Sequence, residues 1–204
     1  MFVVLPRYAG AVSIAFLKEF IRDPIHLGAV APSSPRLART TVGSAGIRSQ
    51  EVVVELGAGT GPMTAALVEE FPSNPLMCLE PNPRMAERLR DRFPTVHVRA
   101  NYVQELPVLM EEWGHPRADR IVSSLPWAIW SPELQQACFE AILQVMSPTG
   151  SMVTFQYAHS QLLPAARRFK RTLRSHFHEV NRTSVVWANL PPAFVYVCEQ
   201  PRQP

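Results

Sequence analysis

Lysine is nearly missing from this chain: among its 20 basic residues, only Lys18 and Lys170 are lysines, so arginine carries the positive charge. Arginine suits phosphate recognition because its planar fork bonds two oxygens at once, although it is also common on ordinary surfaces. Charge of either sign is sparse. With 20 basic and 17 acidic residues the net charge is +3, too small to demand a nucleic-acid partner. Cysteine is also scarce. Cys78, Cys138 and Cys198 lie far apart in apolar surroundings, with no Cys-x-x-Cys and no His/Cys cluster. That pattern fits buried free thiols in a reducing cytosol better than a disulfide framework or a zinc site. No apolar run is long enough for a membrane. The stretch from Tyr8 to Leu17 is about ten residues, against roughly 20 for a spanning helix. A charged start and a small-residue cleavage site are not found in good order, so the N-terminal segment is expected to be retained. Repeats and low-complexity tracts are absent as well.

What is present is a folded-protein composition, 47% hydrophobic and 18% charged over 204 residues, enough for one domain with a real core. From residue 51 onward, strand and helix signals alternate. Glu51 to Leu56 is a β-branched, nearly continuous apolar run, as expected of a buried parallel strand. Further strands are expected at 76–79, 96–99, 119–124 and 151–157, and helices at 64–71, 83–93, 103–113, 132–146 and 162–169. In the helix at 132–146, Ser131 supplies a cap and Pro132 opens the first turn. Two strands in succession, 177–187 and 193–199, read as a terminal antiparallel hairpin. The fold class is therefore α/β: a Rossmann-like, doubly wound sheet of seven mostly parallel strands with a C-terminal antiparallel hairpin. Residues 1–45 read as an added N-terminal helical region, and residues 46–204 as the cofactor-binding domain.

Between the first strand and its helix lies Glu55-Leu-Gly57-Ala58-Gly59-Thr60-Gly61. Glycines there allow a tight turn and close approach of a ligand to the backbone, and the helix N-terminus offers free N–H groups. About 20 residues later, Glu80 ends the next strand, where a carboxylate can accept ribose hydroxyls. A dinucleotide enzyme shares that spacing. However, the turn reads Gly-x-Gly-x-Gly, Glu55 precedes it, and no second half-domain is available for a nicotinamide. These details favour S-adenosyl-L-methionine (SAM). The two segments resemble the first and second motifs of class I SAM-dependent methyltransferases, a likeness that spans residue 51 to about 199. It implies that Glu55 and Gly57, Ala58, Gly59, Thr60 and Gly61 surround the methionine part. It also implies that Glu80 and Pro81 meet the ribose, that Asn101 and Tyr102 flank the adenine, and that Ser123 completes the cofactor contacts. S-adenosyl-L-homocysteine is then the product. Many members have aspartate where this chain has Asn101, whose carbonyl oxygen can still accept from the adenine amine.

The expected acceptor loop is Ser123-Ser124-Leu125-Pro126-Trp127. It resembles two families. In rRNA adenine dimethyltransferases, Asn-Leu-Pro and an aromatic residue hold an extruded base; here Ser124 replaces the asparagine, and Trp127 remains for stacking. Bacterial phospholipid N-methyltransferases read close to Ser-Gly-Leu-Pro, with Ser124 here in place of glycine. The N-terminal stretch Phe16 to Pro24, Leu27 to Ser34 and Leu37 to Arg39 closely resembles the start of that second family. Phe16, Leu17, Phe20 and Ile21 recur at helical spacing beside Lys18 and Arg22, which describes an amphipathic helix able to lie in a lipid interface; a helix packed on the domain edge is the alternative. This resemblance implies N-methylation of phosphatidylethanolamine and its mono- and dimethyl derivatives at an anionic membrane surface, on the cytoplasmic face, with no nucleic-acid partner. Tyr8, Ser124 and Pro126 are the expected catalytic residues, with His26, Tyr102 and His159 as further candidates by type for accepting the amine proton. Phe16, Lys18, Phe20, Arg22, Ser33, Ser34 and Trp127 are expected at the substrate or membrane. The basic run Arg167, Arg168, Lys170, Arg171 and Arg174 is either a lipid-facing cluster or a solvated helix face. No metal is expected. Left open are an rRNA adenine acceptor, a small-molecule acceptor and a non-catalytic binding module.

Overall fold

The computed structural model describes residues 33–202. Seven strands form one sheet: β1 (Val53–Leu56), β2 (Leu76–Leu79), β3 (His97–Arg99), β4 (Ala118–Ser123), β5 (Met146–Tyr157), β6 (Phe177–Arg182) and β7 (Ala193–Pro201). Their order is β3-β2-β1-β4-β5-β7-β6. The pairs β2–β3, β1–β2, β1–β4 and β4–β5 are parallel, whereas β7 runs antiparallel to both β5 and β6. The expected mostly parallel sheet with a terminal reversed strand is the observed one. The order reverses at β1, so β1 and β4 are the neighbours between which such sheets open a ligand crevice at their carboxyl ends.

The helices are α1 (Pro35–Ser44), α2 (Pro62–Glu70), α3 (Pro83–Arg92), α4 (Leu106–Glu112), α5 (Pro132–Val145) and α6 (Pro164–His176). Each carries a proline in its first turn, where a missing N–H costs no intrahelical bond. Pro107 therefore opens α4. β1 and β2 are buried at every position, because helices cover both faces of the sheet. On one face Leu37, Val42, Val53, Met63, Cys78 and Val122 pack together, bringing α1 and α2 onto the strands. On the other, Leu56, Leu79, Trp127, Phe139, Phe169 and Tyr196 form the larger cluster.

Three elements depart from the sequence expectation. β5 starts at Met146, pairing with Ala118 before a register shift; near Gly150 a Cβ would come within 2.9 Å of the Ser147 carbonyl oxygen. β6 stops at Arg182 instead of reaching Trp187, because the Thr183 hydroxyl takes the Val195 N–H and the ladder ends. α6 extends to His176, its apolar side (Ala166, Phe169, Leu173) buried and its arginines outward. The expected third and seventh strands lie at 97–99 and 193–201, within two residues of the sequence reading. All three cysteines are free and buried, and burial pushes the Cys138 and Cys198 thiols up to about 12, which removes them from thiolate chemistry.

Candidate active site

At the carboxyl end of β1 the chain turns sharply. Gly57, Gly59 and Gly61 all have positive φ, at 77°, 56° and 83°. Gly57 is confined by a neighbour, since a Cβ there would sit 2.8 Å from Leu125 Cδ2. The glycine turn and the loop after β4 are thus in direct contact. Gly59 is different: a Cβ would meet nothing within 4 Å, so this backbone faces open space.

Glu80 closes the turn from β2. Its carboxylate accepts from the Gly59 N–H at 2.8 Å and the Asn82 N–H at 2.9 Å. Burial raises its pKa from the usual carboxylate value, and those two backbone bonds oppose the rise. Pro81 is half-buried, and Asn82 goes on to cap α3 by accepting from the Arg84 and Met85 N–H groups. After β3, the Asn101 side-chain nitrogen donates to Glu105 Oε2 at 2.7 Å, and the Tyr102 N–H donates to Oε1 of the same residue at 3.0 Å. Glu105 thereby anchors the Asn101 amide by its nitrogen and leaves the carbonyl oxygen as acceptor.

These residues fit SAM. Bare backbone at Gly59 and Thr60 beside a helix N-terminus suits the methionine part, Glu80 retains lone pairs for ribose hydroxyls, and the Asn101 carbonyl suits an exocyclic amine. Glu55 has another role. Its side chain is fully buried; Oε2 accepts from the Thr64 hydroxyl at 2.7 Å and the Cys78 thiol at 3.0 Å, tying α2 and β2 to β1. With no surface open to a ligand, it supports the turn from beneath. Desolvation by burial, opposed by those bonds, leaves its pKa at about 7, and Oε1 has no hydrogen-bond partner among the described residues.

The β4 loop corrects two further expectations. Ser123 is fully buried, and its hydroxyl accepts from the Trp127 indole N–H at 3.0 Å and the Leu125 N–H at 3.3 Å; it shapes the loop and does not face the cleft. Trp127 is 2% exposed, with ring centroids 4.8 Å from Phe139 and 5.8 Å from Phe169. It is turned into the core because both its ring and its N–H are satisfied there. Gln135, which sequence reasoning passed over, donates to the Trp127 and Trp130 carbonyls at 2.7 and 3.2 Å. A polar residue on the apolar face of the 132–146 helix was its only signal. Ser124, half-buried, donates its hydroxyl to Met63 Sδ at 3.2 Å, and Pro126 lies half-buried beside it.

Ser34 caps α1, accepting from the Leu37 N–H, while its own N–H donates to Asn189 Oδ1 at 3.0 Å. This bond joins the start of the described chain to the loop between β6 and β7. Ser33 is half-buried. His159 is exposed, its ring stacked 5.9 Å from Tyr157. Tyr8, Phe16, Lys18, Phe20, Arg22 and His26 lie outside the described residues, as does the expected amphipathic helix. Among the described residues there is no His/Cys/Asp/Glu group able to hold a metal, and no helix long and apolar enough to cross a membrane.

Residues 53–150 match the family model described as "Methyltransferase domain". The chain is 35% identical over 190 residues to an ornithine lipid N-methyltransferase from Singulisphaera acidiphila, covering 90% of this chain and 93% of that protein. It is 28% identical to the dimethyladenosine transferase of Saccharomyces cerevisiae over 90% of this chain, but spans only 56% of that relative's length. In fold it resembles TrmN from Thermus thermophilus, with a TM-score of 0.63 at 17% identity, covering 90% of this chain and 53% of that one. S-adenosyl-L-methionine is the cofactor. A glycine turn open at Gly59, the carboxylate beside it and a near full-length match converge on one assignment: the chain belongs to the SAM-dependent methyltransferases, in the family of the ornithine lipid N-methyltransferase.

Proposed function

We propose that this methyltransferase acts on the amine of a membrane-lipid headgroup, at the membrane surface and on its cytoplasmic side. The observation that carries the choice is the placement of Trp127. An adenine acceptor needs an aromatic platform for the extruded base, and the loop's tryptophan is committed to the core. A lipid amine needs no such platform, and the relative matched over nine-tenths of both chains is named for a lipid N-methylation. Phosphatidylethanolamine and its mono- and dimethyl derivatives are the acceptors the sequence resemblance favours; ornithine lipid is the other amine-bearing candidate.

SAM, when bound, supplies a methyl group on a positively charged sulfur. The chain's share of the chemistry is alignment. Gly57 to Gly61 fix one end of the cleft, Glu80 and Asn101 hold the nucleoside, and the Ser124–Pro126 loop, pressed against Gly57 through Leu125, borders the acceptor. The nucleophile must be the neutral amine, so an ammonium first loses a proton. Tyr8, Tyr102, His26 and His159 are the groups of suitable type, and in this reading the Ser124 hydroxyl orients the amine. Phe16, Lys18, Phe20 and Arg22 supply the interfacial contact in this reading, and Ser33 and Ser34 meet the lipid phosphate.

The test is incubation with methyl-labelled SAM and vesicles containing phosphatidylethanolamine in one arm and ornithine lipid in the other, followed by lipid extraction and separation. Label in N-methylated lipid is the expected result, and the labelled arm names the headgroup. No label in either arm, with SAM binding confirmed, would discard the lipid acceptor and return attention to RNA and small amines.

A further inference from the structure

Among the described residues, the large apolar side chains left in water, apart from Val108 on α4, gather at one end of the molecule. Leu162, Trp187 and Leu190 are 77%, 77% and 87% exposed, and Leu163 and Ile129 are at least half exposed. Ile129 follows β4, Leu162 and Leu163 follow β5, and Trp187 and Leu190 lie between β6 and β7. The pairings Ser123–Thr154, Tyr157–Ala193 and Arg182–Tyr196 bring all three loops out at the carboxyl end of the sheet, the end that carries Gly57 and Glu80. Arg182 donates to Gln161 at 2.6 Å, fastening the β6 end to the segment after β5. Scattered exposed leucines need no explanation, but a cluster on adjoining loops marks a binding face.

The charge beside this face is mainly positive. From Ala141 to Cys198 the chain carries Arg167, Arg168, Lys170, Arg171, Arg174 and Arg182 against a single carboxylate, Glu179; on the Ile129 side, Glu133 in the first turn of α5 is an exposed carboxylate. Arg167 and Arg168 sit in the first turns of α6, directly after Leu162 and Leu163, and are exposed. Apolar tips backed by arginine are complementary to an anionic bilayer, whose acyl region takes the tips and whose headgroups take the charge. The chain also enters the described fold here, through the Ser34–Asn189 bond.

We propose that the loop tips Ile129, Leu162, Leu163, Trp187 and Leu190 form a membrane-docking rim, separate from residues 1–32, that seats the carboxyl end of the sheet on an anionic lipid surface. The rim rests on the lipid-acceptor reading for its purpose: it points the cleft at the headgroup layer. It adds an account of how a protein held at the surface is oriented.

Full-length Leu162→Asp/Leu190→Asp protein is compared with the native chain in sedimentation with phosphatidylethanolamine/phosphatidylglycerol vesicles. At least tenfold weaker partitioning is expected, with SAM affinity and far-ultraviolet circular dichroism unchanged. In the native chain, Trp187 emission shifts to the blue on vesicle addition and is quenched by lipids brominated in the acyl chain, and Trp187→Phe removes that quenching. Unaltered partitioning of the double variant would overturn the rim. So would a loss of SAM affinity or stability without a partitioning change, which would mean that the tips pack on this chain's own N-terminal segment, and so would a loss of RNA retention with vesicle binding intact. Turnover on dihexanoyl phosphatidylethanolamine below its micelle concentration separates the two ideas. Variants that keep this turnover but lose turnover on vesicles support the rim. Vesicle binding through the rim with no lipid methylated would leave the rim standing and remove the acceptor reading.

Discussion

The two ends of the sheet order achieve their shapes by different means. On the β1–β3 side, carboxylates do the organising: buried Glu80 takes the N–H groups of Gly59 and Asn82, exposed Glu105 takes the Tyr102 N–H and the Asn101 side-chain amide, and buried Glu55 takes the Thr64 hydroxyl and the Cys78 thiol. On the β4–β7 side, aromatic stacking does that work, with Trp127 between Phe139 and Phe169, and the loops beyond it expose leucine and tryptophan. A cofactor with fixed polar atoms is held by fixed polar atoms. The proposed lipid acceptor, arriving from a surface, calls for a rigid apolar support and a face that tolerates hydrocarbon. The contrast predicts that substitutions on the first side strike SAM affinity, and that those on the second strike stability or surface binding.

The largest effect is expected at Glu80. Glu80→Ala leaves the Gly59 and Asn82 N–H groups without their partner and, on the proposed assignment, removes the acceptor for two ribose hydroxyls. Hydrogen bonds to a charged group contribute about 1.5–3 kcal/mol each, so SAM affinity measured by calorimetry should fall by roughly a hundredfold or more. Unchanged affinity would remove Glu80 from the cofactor site.

Trp127 sharpens the comparison from the other side. Trp127→Ala empties the centre of the aromatic stack and should cost about 3–5 kcal/mol of stability in denaturant unfolding, with SAM affinity of the folded protein unchanged. Trp127→Phe, which preserves a ring, should recover most of it. Normal stability of Trp127→Ala with a collapse in kcat/KM would instead make the tryptophan an acceptor platform and revive the adenine reading.

This division also explains what the sequence disclosed. The cofactor side is specified by neighbours in the chain: Gly57 to Gly61 form one turn, and Glu80 stands at the end of a strand whose apolar run is continuous, so local pattern suffices. The roles of Ser123 and Trp127 depend on Phe139, Phe169 and Gln135, distant residues that no local spacing reveals; the same five-residue motif reads equally well as a loop facing a ligand. Strand ends failed for similar reasons. β6 stops at Arg182 because Thr183 happens to lie opposite Val195, a pairing visible only in the sheet, and Trp187 is thereby released from the expected strand to the surface.

A third effect concerns Glu55, where the comparison predicts a pH signature confined to the first side. Burial pushes its carboxyl up to about 7, against 4.5 for an ordinary glutamate. The folded state then binds a proton more tightly than the unfolded chain between those values, so stability falls as pH rises through that window. The contribution is fully present below about 4.5 and is lost by the time pH has passed 7. At about 1.4 kcal/mol per pKa unit, it amounts to something on the order of 3 kcal/mol. The physical origin is a carboxyl with no surface and one oxygen, Oε1, lacking a donor among the described residues; ionising it strands charge that Thr64 and Cys78 only partly stabilise. Glu55→Gln keeps an acceptor for the Thr64 hydroxyl without the charge. Urea midpoints recorded from pH 5 to 8 should therefore decline for the native chain and stay nearly level for Glu55→Gln. Parallel declines in both would show that Glu55 is ionised throughout, and that the first side's polar support works through charge and not through a shared proton.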